Sequence, residues 1–132
     1  MAGVIGQLHS YVIDAPDAHA LATFYAELLG MQVQGSPGDD WVVVSGQGYR
    51  LAFQQAPDLQ PPDWPDPARP QQAHLDVRVA DVDTAEPAVL ALGARRLPGG
   101  GGDFRVYADP VGHPFCLVWD APVPPPAPEE TR

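Results

Sequence analysis

Apolar and polar positions along this chain fall into two periodicities that alternate at regular intervals. Leu8-His9-Ser10-Tyr11-Val12-Ile13 reads as a strand. After Pro16-Asp17 the spacing turns helical, with Leu21, Phe24, Tyr25 and Leu28 on one face. Asp17 can accept from the free N–H groups of a first helical turn. Gly30 is a natural stop, because glycine tolerates the left-handed conformation that ends many helices. Three short strands are predicted next, at Met31–Gln34, Trp41–Ser45 and Arg50–Gln55, with Gly35, Pro37, Gly38, Gly46 and Gly48 in the breaks.

The same order then returns. Ala73-His74-Leu75-Asp76-Val77-Arg78-Val79 alternates, with His74, Asp76 and Arg78 on the face opposite the apolar residues. Asp81 or Asp83 caps a second helix, and Asp83 with Glu86 has capping-box spacing. Pro87 falls near the first turn, where a missing N–H costs little. Val89, Leu90 and Leu92 supply the core side, and Gly93 ends the helix. Strands are predicted at Arg95–Leu97, Phe104–Tyr107 and Pro114–Trp119, with Gly99–Gly102 as a flexible turn. That turn lacks the Lys-Ser/Thr ending of a phosphate loop.

Asp17 and Asp81 mark equivalent places 64 residues apart. The pattern is an internal duplication. It predicts an α+β fold of two βαβββ modules, at about 4–56 and 71–120, forming curved mixed sheets. Their apolar faces meet the helices. Their opposite faces line a shared concave cavity, a common place for a small ligand.

Composition sharpens this picture. Eleven of the 17 prolines cluster in a connector at 57–70, read as extended, and in a tail at 121–132, read as disordered. With 132 residues the remainder makes one domain. The net charge is −10, and all seven basic residues are Arg, which argues against a nucleic-acid partner. No apolar run is long enough to cross a membrane. The first residues lack the basic segment of a secretory signal. A single cysteine, Cys116, excludes an intrachain disulfide framework and fits a cytoplasmic protein.

Three stretches resemble the vicinal oxygen chelate superfamily of glyoxalases, bleomycin-resistance proteins and extradiol dioxygenases. They are Asp17-Ala-His-Ala-Leu-Ala-Thr-Phe-Tyr-Ala-Glu-Leu-Leu-Gly30, the strand Ala73–Val79 with Asp81 after it, and Asp109-Pro-Val-Gly-His-Pro-Phe-Cys-Leu-Val118. The last is similar to a glyoxalase-like branch. Metal-using members take ligands from the first and last strand of each module. Carried over by position, those places hold Ser10, Ala52 or Gln54, His74 and Cys116. By alternation, His9 points to the helix side instead.

Only His74 matches the usual ligand type, so no cofactor is expected. A divalent ion, if bound, would use His74 with Gln54 or Cys116. The resemblance then implies a homodimeric protein that binds a small organic molecule, as a metal-independent lyase or isomerase. A non-catalytic drug- or metabolite-sequestering protein and a metal-dependent lyase or dioxygenase are the alternatives. His74 is the expected acid–base group, oriented by Asp76. Ser10, Trp41, Gln54, Arg78 and Cys116 are the expected ligand contacts. Nothing next to Cys116 in sequence lowers its pKa, which favours a buried thiol over a nucleophile. His113 reads as a turn residue. Trp119 reads as packing under the helices, and Trp64 as a cover for the cavity or a bridge to a partner subunit.

Overall fold

Each half of the chain folds into a strand, a helix and three more strands. The computed structural model describes residues 5–119. The first half contains β1 (Tyr11–Ala15), α1 (Ala18–Leu29), β2 (Gln32–Gln34), β3 (Trp41–Gly46) and β4 (Tyr49–Gln55). The second contains β5 (Leu75–Arg78), α2 (Val82–Ala91), β6 (Arg95–Gly100), β7 (Phe104–Ala108) and β8 (Pro114–Val118). The tail expected at 121–132 lies outside the described residues.

The first helix's signals act as read; in the second, Pro87 lies inside the helix and Leu90, expected on the core side, is exposed. Asp17 accepts from the Ala20 N–H at 3.1 Å, and Gly30 closes α1 at φ 67°. At the second helix the cap is Asp81, whose Oδ1 accepts from the Asp83 N–H at 3.1 Å. Its Oδ2 accepts from the Thr84 hydroxyl at 2.7 Å. Asp83 and Glu86 form no capping box. Their carboxylates turn to β7 instead, where Arg105 donates to Asp83 at 3.1 Å and the Tyr107 hydroxyl donates to Glu86 at 2.6 Å.

Two strands depart from their predicted bounds by three residues at one end, and the others by one or two. The first begins at Tyr11 rather than Leu8, because its parallel partner β4 pairs only from Tyr11 opposite Leu51 onward. β6 runs through Gly99 to Gly100, with a register shift after Arg96, where a flexible turn was expected. The left-handed backbone of Gly99 and Gly100, at φ 103° and 125°, fits such an irregular strand.

The sheet orders are β1-β4-β3-β2 and β5-β8-β7-β6. In both, the first and last strands of the module lie parallel, and the other pairs are antiparallel. The register repeats as well: Tyr11 opposite Leu51 recurs 64 residues later as Leu75 opposite Phe115.

One apolar core gathers the helix-side residues of both modules. Its centre is aromatic. Tyr25 stacks on Phe53 at 5.7 Å between ring centres, and Phe115 stacks on Tyr107 at 5.6 Å. Phe24 meets Phe115 edge-on at 5.9 Å, so α1 touches the second sheet as well as its own.

A buried carboxylate secures this joint. Asp109, 1% exposed, accepts from the Tyr25 hydroxyl at 2.7 Å. Its other oxygen accepts from the backbone N–H groups of Val111, Gly112 and His113 at 2.9 to 3.0 Å. Burial, and then the charge and hydrogen bond of Asp109, hold the Tyr25 hydroxyl well above the usual phenol range. The His113 ring meets the Asp14 carbonyl at 2.7 Å, a second link between the modules.

The connector is not extended. The Asp63 N–H donates to the Arg69 carbonyl at 2.9 Å, and Asp66 and Arg69 close two further turns between them. The prolines lack donors, but Asp63, Asp66 and Arg69 keep theirs and fold the segment on itself. Trp64 then packs on the second sheet, on the side away from the helices.

Candidate functional site

The period of two along a strand gives each sheet one face toward the helices and one open face. On β8, Phe115 and Leu117 enter the core, which turns Cys116 to the open face. On β5, Val77 is in the core and Asp76 is on the open face, directly opposite Cys116. His74 lies one residue before β5. Its Nε2 stands 3.3 Å from Asp76 Oδ1.

These three side chains form one cluster. An imidazole nitrogen, a carboxylate oxygen and the thiol sulfur all lie within 4.8 Å of one another. The His74 and Asp76 side chains are 39% and 58% exposed, whereas Cys116 is buried. Burial, then the charge and hydrogen bond of Asp76, push the Cys116 thiol up to about 11. At neutral pH it is a protonated thiol and a poor nucleophile, as its sequence surroundings suggested.

The corresponding positions of the first sheet carry no ionisable side chain. Val12 pairs with Ala52 where Asp76 pairs with Cys116. Ser10 precedes β1 as His74 precedes β5, and its hydroxyl is hydrogen-bonded to His9 Nδ1 at 2.8 Å. Trp41 and Gln54 face each other across β3 and β4, and Gln54 also pairs with Asp14. The structure thus brings His74, Asp76 and Cys116 together and places Ser10, Trp41 and Gln54 on or beside the other sheet.

Two cavities adjoin the gap between β1 and β5. The first, about 500 Å³, has Tyr11 and Asp14 on one wall and His74 on the other, with Arg69, Gln72 and His113 around it. The second, about 780 Å³, has His9, Tyr11 and Arg50 facing Asp76, Arg78 and Val118. Ser10, Trp41, Gln54 and Cys116 line neither of these two. Tyr11, Asp14, Arg69 and Gln72 were not singled out from the sequence. Their only signal was position, on the edge strand β1 and at the end of the connector.

The cluster also fits a metal. Imidazole, carboxylate and thiolate are donors that a zinc-type ion accepts, and three protein donors leave a position open to ligand. The soft thiolate suits zinc better than manganese. Gln54, on the other sheet, is not in the cluster.

Paired βαβββ modules with a cleft between their first strands define the vicinal oxygen chelate class. The match is explicit: the glyoxalase-like domain covers residues 10–118, and the chain belongs to that family. A search of curated proteins gives no match. Among solved structures, the chain is similar to fosfomycin resistance protein FosX from Listeria monocytogenes, at 17% identity and TM-score 0.64, over 88% of this chain and 93% of that one. A glyoxalase/bleomycin resistance protein/dioxygenase family enzyme from Burkholderia phytofirmans aligns at 19% identity and TM-score 0.61, over 82% and 94%. A possible glyoxalase from Bacillus cereus aligns at 16% identity and TM-score 0.64, over 87% and 99%. These likenesses show a shared fold. A variant of the Listeria FosX was solved with Mn(II) and a dihydroxypropylphosphonic acid.

Proposed function

We propose that this chain binds a small organic molecule in the cleft between β1 and β5 and acts on it by acid–base chemistry at His74, as a lyase or isomerase. One observation carries the reading: His74 lines the 500 Å³ cleft while its Nε2 stands 3.3 Å from the Asp76 carboxylate. That contact favours the tautomer with its proton on Nε2 and leaves Nδ1 as the basic atom. Nδ1 then takes a proton from the ligand and returns it at a second position. Tyr11, Gln72 and Arg69 offer donors to ligand oxygens along the same cleft. Arg78 and Cys116 border the dyad, and a ligand reaching the first sheet meets Ser10, Trp41 and Gln54.

The test is a panel of small carbonyl and hydroxy compounds, assayed for binding and turnover. Loss of the acid–base group costs about 10²-fold or more in rate. His74→Ala is expected to retain binding and lose turnover by that factor. Tight binding with no turnover in the unaltered protein points instead to a resistance-type sequestering protein. Equal turnover in His74→Ala contradicts the reading.

A second reading rests on the cluster of His74, Asp76 and Cys116. A zinc-type ion held there would supply Lewis-acid polarisation of a ligand oxygen. The metal content of purified protein decides it. A stoichiometric ion lost in both His74→Ala and Cys116→Ala supports the metal. Full activity without metal rejects it.

We also read the chain as a homodimer, because Val12 and Trp41 on the first sheet's open face stay 41% and 44% exposed. A cytoplasmic location fits the lone free thiol. Sedimentation measures the first, and fractionation the second.

A further inference from the structure

The second sheet's open face carries an apolar patch that the acid–base reading leaves unused. Leu97, Val106, Ala108 and Cys116 form it, separately from the main core. Trp64 covers it from the connector, with Phe104 and Val118 at the sides.

The cover is lightly held. Its segment joins no strand ladder, and its hydrogen bonds from Asp63 to Arg69 close it on itself. The indole N–H makes one exposed hydrogen bond to the Pro98 carbonyl at 3.3 Å, the long end for such a bond. The same connector supplies Pro61, Pro62, Arg69 and Pro70 to the wall of the cleft that His74 lines. The patch is therefore a surface already matched to a flat ring, and the acid–base group lies at its edge.

We propose that Trp64 is an exchangeable cover and that the flat aromatic part of a ligand takes its place on the Leu97–Val106–Ala108 patch. The ligand class is then an aromatic ring of about indole size bearing a hydrogen-bonding group that reaches His74. This rests on the reading of the cleft as the ligand site. It makes Trp64 the residue that sets ring specificity. Ligand affinity in the unaltered protein is reduced by the fraction of time the cover is lifted.

The experiment uses the full chain labelled with 5-fluorotryptophan and titrated with indole itself. Trp41, Trp64 and Trp119 give three fluorine resonances, assigned by Trp64→Phe. The Trp64 resonance is expected to move saturably toward the solvent-exposed position, while those of Trp41 and Trp119 hold still. If the cover is lifted about a tenth of the time, Trp64→Ala binds indole about tenfold more tightly. A Trp64 resonance that stays fixed as indole is added overturns the proposal, whether or not Trp64→Ala folds. So does a folded Trp64→Ala with unchanged affinity. The acid–base reading fails separately, through unchanged turnover in His74→Ala.

Discussion

The two open sheet faces have the same backbone and different chemistry. Strand order and pairing register repeat across the 64-residue interval, so position for position the faces correspond. Yet Ser10, Val12 and Ala52 stand where His74, Asp76 and Cys116 stand. None of the first three has an ionisable side chain, whereas each of the second three does. Both halves use their helix faces alike to build one core, while only one half concentrates ionisable groups. Duplication here preserves what packing requires and leaves the open faces to diverge.

The largest effect should come from breaking the joint on which both faces depend. Asp109→Ala strands the Tyr25 hydroxyl and three backbone N–H groups in the interior. A cost of about 3–5 kcal/mol is expected from losing a buried charge with its partners. Urea unfolding should show it, with Tyr25→Phe costing about 1.5–3 kcal/mol for a hydrogen bond to a charged group. A loss under about 0.5 kcal/mol for Asp109→Ala would mean that the modules are joined by apolar packing alone.

Next is the thiol that distinguishes the second face. Because burial and Asp76 raise Cys116 to about 11, folding favours its protonated form. The stability this contributes is complete below the ordinary thiol range and is lost as pH rises toward about 11. Asp76→Asn removes the charge and should bring the thiol down. The pH dependence of iodoacetamide reaction measures this directly. An unchanged profile in Asp76→Asn would show that burial alone sets the thiol.

Grafting the difference is a sharper trial. Val12→Asp with Ala52→Cys places the Asp–Cys pair on the first sheet, in the same parallel register. The introduced thiol should titrate high, as Cys116 does. An ordinary thiol pKa would show that the second face needs more than register to shape its chemistry.

The smallest effect concerns acid. The Tyr107 hydroxyl, followed by Arg105 and Arg96, holds Glu86 below the usual carboxylate range against an opposing effect of burial. Its contribution is present above the unfolded glutamate pKa and is lost as pH falls through the lowered value. Thermal melts of Glu86→Gln should lose part of the acid-side slope and keep the alkaline side. An identical slope would place the acid sensitivity elsewhere.

Some of this was legible beforehand, for identifiable reasons. The duplication, the Asp17 cap and the Gly30 stop are local signals that tertiary contacts did not override. The placement of His74 and Asp76 on one face followed from strand alternation. The Asp76–Cys116 contact needed the parallel register of β5 and β8, which neither strand contains by itself. The role of Asp109 needed Tyr25, 84 residues away. The connector was misread because proline content signals missing donors, whereas its fold is set by Asp63, Asp66, Arg69 and the distant patch under Trp64. The capping box at Asp83 and Glu86 failed because Arg105 and Tyr107 across the module claim both carboxylates.

The most direct trial of the central claim compares His74→Ala with Ser10→Ala in one turnover assay. The account predicts a loss of about 10²-fold or more in the first and near-unaltered turnover in the second. Equal losses in both, or a loss confined to Ser10→Ala, would contradict the assignment of the chemistry to the second sheet.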